Sequence, residues 1–234
     1  MRKFALAEAP VAFPHQEPVS PRDARRRMTS LDLAWLLSAS GFAVATCATP
    51  GPNNTMVAAS GANWGFSASL PHMLGISLGF PVMLIAVALG VGDLFRVYPF
   101  LHEALKWVGA AYLIWLAVQI ARADAGDPAD AAAPRRGRPM SFLQAALFQW
   151  ANPKAWIIAI GAILAYTRAD GPPLIWQALV LALVFLLATL PSVAFWTLTG
   201  VGAARFLRTP RARRGFNVLM AALLVASLVP LAWE

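Results

Sequence analysis

The chain has 234 residues, of which 59% are hydrophobic and 13% charged, with a formal net charge of +8 and a mean hydropathy of +0.60. A soluble domain carries about 45–50% apolar and about 25% charged residues, so this composition cannot cover a water-facing exterior and implies a bilayer as solvent. The single cysteine, Cys47, excludes an internal disulfide, a CxxC redox motif and a cysteine-based metal cluster, while the absence of a basic face argues against nucleic acid as the partner of the positive charge.

Residues 1–28 hold scattered prolines and acids and the run Arg25-Arg26-Arg27 without apolar periodicity, and are expected to form a disordered tail. Six apolar stretches follow, at about 31–61, 70–92, 104–121, 141–166, 173–199 and 213–232. Each approaches or exceeds the ~20 residues a helix needs to cross hydrocarbon. The expected fold is an all-α membrane protein of six transmembrane helices. Residues 29–121 form a first three-helix repeat and residues 141–234 a second, joined by the basic, Ala- and Pro-rich link 122–140.

Both halves carry a proline-broken first helix. Pro50-Gly51-Pro52-Asn53 interrupts the first span, and Asn152-Pro153-Lys154 interrupts the fourth. Proline removes a backbone donor and clashes with the preceding turn, so each segment is expected to unwind or kink its helix. Three spans per half invert the second half relative to the first, which is the layout of secondary transporters whose sites lie where two broken helices meet near the midplane.

The Lys and Arg residues number six in the tail, none in 62–69, two at Arg96 and Lys106, four in 122–140, one at Arg168 and five in 200–214. Alternate sides then hold nine each, and the positive-inside rule gives no orientation. Translation starting at Met28 would remove the tail charges and leave three against nine, placing both termini outside and the links 122–140 and 200–214 in the cytoplasm. A secretory signal peptide over Arg25–Ala48 is the competing reading, and its cleavage would divide the first broken helix.

The string Ala48-Thr49-Pro50-Gly51-Pro52-Asn53-Asn54-Thr55-Met56, with Ser60-Gly61-Ala62-Asn63-Trp64-Gly65-Phe66 and Leu74-Gly75-Ile76-Ser77-Leu78-Gly79 after it, resembles the first half of the LysE/RhtB family of bacterial amino-acid exporters. Phe148-Gln149-Trp150-Ala151-Asn152-Pro153-Lys154-Ala155-Trp156 is similar to the family's Asn-Pro-Lys segment, and Gly109–Ala117 to its third helix. The resemblance runs from about Met28 to the C-terminus. It implies export of small amino acids or close derivatives across the bacterial inner membrane, driven by an ion gradient with a proton or cation as the coupling ion. No cofactor is expected, and one Cys with no Ser-His-Asp arrangement and no HExxH leaves an enzyme no catalytic group. Within the family, Gly109–Ala117 and Gly215-Phe216-Asn217-Val218-Leu219 look most like members that export cysteine and O-acetylserine. A carrier of a metal ion or other small solute on the same architecture is the alternative, although the spans lack the clustered Cys, His, Asp and Glu that transition metals favour.

A zwitterionic amino acid needs an anion site beside a cation site. A helix restarting at Pro52 offers unpaired N–H groups around Asn53, Asn54 and Thr55 at its positive end, suited to a carboxylate. Half-helices ending near Thr49 and Ala151 are expected to leave free carbonyls for an ammonium or coupling cation. Asn53 and Asn152 each bring a donor and an acceptor. The substrate-binding set expected is therefore Pro50, Gly51, Pro52, Asn53, Asn54, Asn152, Pro153 and Lys154. Lys154 is the one basic residue deep within a predicted span, where an ammonium costs at least about 2.5–3.5 kcal/mol. Three roles stand open for it: holding the substrate carboxylate, alternating between protonated and neutral forms during proton coupling, or bracing nearby carbonyls.

Other polar residues carry smaller expectations. Asp32 and Asp93 belong at span ends, His72 reads as structural or interfacial, and no metal site is expected. Of Gln144 and Gln149, at most one should line the cavity. Tyr112 and Trp115 read as packing or belt aromatics. Gly75 and Gly79 have small-xxx-small spacing that favours close helix contact and supports a homo-oligomer. Arg205, Arg208, Arg211, Arg213 and Arg214 suit anionic headgroups.

Overall fold

The computed structural model describes residues 32–91, 97–123, 138–207 and 209–228. The expected tail with Met28, Asp93, most of the 122–140 link and Arg208 lie outside these residues. Among the described residues the structure is helical, with α1 Leu33–Ala48, α2 Pro52–Trp64, α3 Phe66–Ala86, α4 Pro99–Ala121, α5 Phe142–Ala151, α6 Pro153–Tyr166, α7 Leu174–Phe206 and α8 Pro210–Ala226. A π-helical turn, Val87–Val91, extends α3.

Local sequence sets the helix starts. Asp32 caps α1, its carboxylate accepting from Trp35 N at 2.8 Å, which gives this span-end acid a structural task. Ser141 and Gln144 form a reciprocal capping box at the head of α5. Thr209 caps α8 through Ala212 N at 3.1 Å. Pro52, Pro99, Pro153 and Pro210 each open a helix at a position where a missing N–H goes unfelt.

Three helical stretches, Phe66–Val91, Glu103–Ala121 and Leu174–Phe206, are long and apolar enough to cross a membrane, and α1 with α2 makes a fourth as a pair bent by 54°. Helix α6 is apolar but shorter. Leu183, Leu187 and Phe195 on α7 are 54–65% exposed, the pattern of a face turned to lipid. The chain is a multi-pass membrane protein.

The boundaries correct the expected links. Residues 62–69 do not form an eight-residue connector: α2 runs through Trp64 and Gly65 alone joins it to α3. The 200–214 link shrinks because α7 continues to Phe206. Pro71 and Pro81 lie inside α3 and Pro191 inside α7, and these helices continue through them.

Gly65 turns the chain at φ 85°, ψ 174°, a conformation open essentially to glycine alone. A Cβ there would meet nothing within 4 Å, so the penalty of Gly65→Ala is conformational. It is expected to lower stability by about 1–3 kcal/mol, read as a lower unfolding temperature of the detergent-purified protein.

Helix α7 is the spine, packing against α1, α2 and α3, while α3 packs on α5 and α8 lies against α4 and α2. Small residues allow the two closest approaches. A Cβ on Gly61 would strike the Thr197 backbone, and one on Gly200 the backbone of Ala58 and Ala62, so α2 and α7 touch main chain to main chain. Gly75 and Gly79 face Phe142, Ala145 and Ala146 of α5 in the same way, which makes their contact one within the chain. One buried cluster joins α1, α3, α6 and α7 around Phe80, Leu84, Ala159, Leu181 and Phe185. A second joins α2, α4, α5 and α8 around Met56, Leu113, Phe148 and Leu224.

Candidate functional site: two apposed helix breaks

The two interrupted helices lie against one another and run in opposite directions. Tyr166 at the end of α6 meets Ser38 near the start of α1, Lys154 meets Thr49, and Gln149 meets Asn53. Val57 and Ala145 then share a core cluster. Break therefore faces break.

The first break is confined to Thr49–Gly51, with Pro52 and Asn53 already in α2. Gly51 is fully extended at φ 178°, ψ −178°. A Cβ here would lie 2.9 Å from Lys154 Cδ and 3.0 Å from Nζ, so the lysine side chain passes directly over this residue. The second break is a single residue, Asn152, whose side chain accepts from Lys154 N at 3.2 Å and caps α6. Pro153, as the first residue of α6, fixes where that helix begins.

Lys154 spans the gap. Its Nζ donates to Thr49 Oγ1 at 2.8 Å, to the Thr49 carbonyl at 3.0 Å and to the Pro50 carbonyl at 3.3 Å. The amide of Asn54 donates to the carbonyls of Cys47 at 2.7 Å and Thr49 at 2.8 Å. Thr55 Oγ1 returns to the Gly51 carbonyl at 2.7 Å. Asn53 and Gln149 form a two-way amide pair at 2.9 and 3.2 Å.

The carbonyls at the end of α1, expected to be free, are in fact occupied. Besides Asn54 and Lys154, helix α7 supplies Ser192 Oγ to the Cys47 carbonyl at 2.8 Å and Trp196 Nε1 to the Ala48 carbonyl at 3.2 Å. Thr189 Oγ1 lies 3.3 Å from Cys47 Sγ. These α7 residues went unrecognised in sequence. Their spacing of three and four places one helical face at the break, and that spacing is the only signal they left. The reason for their recruitment is general: carbonyls released by a broken helix find no water in hydrocarbon and take side-chain donors instead.

A cavity of about 50 Å³ lies between the breaks, lined by Cys47, Gly51, Asn53, Asn54, Asn152 and Lys154 among others. Of the expected site residues, the structure brings Gly51, Asn53, Asn54, Asn152 and Lys154 to one cavity, while Pro50, Pro52 and Pro153 are not among its lining residues. Such a volume holds a few waters, and an amino acid enters only if Lys154 or Asn54 moves. Gln149 reaches the site through Asn53, whereas Gln144 caps α5. Tyr112 stacks on Trp115 with centroids 5.6 Å apart. His72 is 2% exposed, and neither ring nitrogen has a hydrogen-bond partner among the described residues.

A multi-pass helical membrane protein with two broken helices crossing at a charged residue has the build of a translocator. The chain belongs to the LysE type translocator family, whose model matches residues 44–232. It is similar to the cysteine/O-acetylserine efflux protein of Salmonella typhimurium strain LT2, at 33% identity over 184 residues that cover 79% of this chain and 90% of the relative. The protein of the same description from Escherichia coli strain K12 is 30% identical over the same extent. No solved structure matches the chain.

Proposed function

We propose that the chain exports small amino acids of the cysteine and O-acetylserine kind across the bacterial inner membrane, driven by a proton or cation gradient. The names of the relatives support the substrate class. The observation that carries the mechanism is the Lys154 ammonium on the Thr49 and Pro50 oxygens, because a zwitterion can exchange into that arrangement. Its carboxylate takes Lys154, and its ammonium takes the Thr49 and Pro50 carbonyls that Lys154 gives up, so no charge is left alone in low dielectric. Gly51 and Pro52 keep the gap open, Asn54 holds the α1 carbonyls, and Asn53, Asn152 and Pro153 set the opposite wall.

The antiparallel apposition of the breaks supports a six-span protein built from two inverted repeats, 29–121 and 141–234, moving against each other about a site near the midplane. Between spans, nine Lys and Arg lie in the links 122–140 and 200–214 and three in the others, which supports a cytoplasmic position for the first two.

Proteoliposomes preloaded with labelled O-acetylserine test this reading. The expected result is saturable efflux, accelerated by an imposed pH gradient and inhibited by cysteine. Efflux that neither saturates nor responds to cysteine would overturn it.

A further inference from the structure

The cavity between the breaks does not end at Lys154. On the α1–α6 side, α1 contributes Thr46 and Cys47, α6 contributes Ile158, and α3 and α7 close the space with Ile76, Phe80 and Thr189. The main-chain groups of a bound amino acid are engaged by Lys154 and by the Thr49 and Pro50 carbonyls, so this is the part of the wall left to its side chain. The amides nearer the breaks are already committed, Asn53 to Gln149, Asn54 to the Cys47 carbonyl and Asn152 to Lys154 N. Ile76 and Phe80 present an apolar surface that any small side chain meets alike. Discrimination falls to the polar groups Thr46, Cys47 and Thr189.

These three are not equally occupied. Thr46, Thr55, Thr197 and Thr199 each donate to the carbonyl four residues back, at 2.6–2.9 Å, the local resort of a hydroxyl within a helix. Thr189 does not. Its hydroxyl is turned off α7 toward Cys47 Sγ, 3.3 Å away, and that sulfur is its one partner among the described residues. A thiol is a weak donor and a weak acceptor, whereas a hydroxyl offers one donor and two lone pairs. Thr189 is only 6% exposed, and a buried hydroxyl met by sulfur alone leaves hydrogen-bonding capacity unspent at a cost. A solute side chain that carries a carbonyl oxygen, hydroxyl or thiol takes up that capacity, and an alkyl chain does not.

We propose that Thr189 is a specificity-determining residue: its hydroxyl hydrogen-bonds the polar end of the solute's side chain and favours it over an alkyl chain of the same length, with Cys47 holding the hydroxyl off its own helix. The assignment deepens the export reading and rests on it, because the place of the side chain follows from the exchange of the zwitterion onto Lys154.

The test compares efflux of labelled O-acetyl-L-serine and of labelled L-norleucine, an alkyl chain of equal length, from proteoliposomes at matched protein density. The native protein should favour O-acetyl-L-serine in kcat/KM by about tenfold, the effect of one hydrogen bond. Thr189→Val, which exchanges the hydroxyl for a methyl of the same shape, and Thr189→Ala should each bring the two solutes within about threefold. The change should lie in a raised KM for O-acetyl-L-serine, with its kcat and the norleucine constants little altered. Thr189→Ser should keep the native preference. No preference in the native protein, an unchanged preference in both the valine and alanine variants, or an equal loss in the serine variant overturns the assignment and leaves the export reading standing. Absence of saturable efflux of either solute from the native protein overturns the export reading and this assignment with it.

Discussion

Lys154→Met is expected to reduce efflux at least a hundredfold while the protein still inserts and remains folded. The native ammonium makes three hydrogen bonds across the gap, and bonds to charged groups contribute roughly 1.5–3 kcal/mol each. The folded protein keeps part of this total, since the Thr49 carbonyl retains Asn54 as a donor. Transport loses far more, because a substrate carboxylate would enter with no positive charge to meet it. A hundredfold corresponds to about 2.7 kcal/mol, within what one missing charge-assisted bond removes. Lys154→Arg keeps the charge but replaces a compact ammonium by a planar guanidinium, and is expected to restore efflux only in part. Initial efflux rates at matched protein density decide the matter, and native rates in the methionine variant would remove Lys154 from the mechanism.

The largest effect on folding is expected at Gly200. A valine there would place its Cβ 3.0 Å from Ala62 N and closer still to the Ala58 carbonyl, and both obstacles are backbone. Overpacking ordinarily costs about 1–3 kcal/mol, and more where main chain must shift. Gly200→Val should therefore exceed about 3 kcal/mol, seen as loss of the monodisperse peak in detergent size-exclusion chromatography. Gly202→Ala supplies the contrast. It lies two residues on in the same helix with nothing within 4 Å, and is expected to be neutral or slightly stabilising. If both variants behaved alike, the α2–α7 backbone contact would not be the source of the effect.

The division between what was readable and what was not follows from range. Pro50, Gly51, Pro52 and Pro153 act through their own dihedrals and missing donors, so both breaks are visible one residue at a time. Their apposition is a contact between residues 105 apart in the chain, such as Lys154 with Thr49, which no single residue announces. Prolines 71, 81 and 191 show the limit of the same argument, because in α3 and α7 the neighbouring helices hold the chain helical around an isolated proline. The expected link 62–69 holds the polar residues Asn63, Ser67 and Ser69. Asn63 finds Asn217 on α8, and Ser69 finds Ser60 at 2.8 Å, so these side chains pair inside the bundle and the helices extend. Thr189, Ser192 and Trp196 were unreadable for a related reason: a hydroxyl in an apolar run serves any carbonyl that comes near, and which one comes near is decided some 145 residues away.

Helix α2 is fastened at both ends by two-way amide pairs, Asn53 with Gln149 and Asn63 with Asn217. Within membranes such bonds average about 0.6 kcal/mol, so a pair holds with about 1.2 kcal/mol, close to twice the thermal energy. Taken alone, either fastening would be undone on the order of a tenth of the time. Parting bares no ion, since each amide carries donor and acceptor but no charge. An ion pair at either place would be a lock, opened only against the desolvation of two charges. Two amide pairs make instead a short-lived clasp, and a helix held this way can release one end while the other still holds.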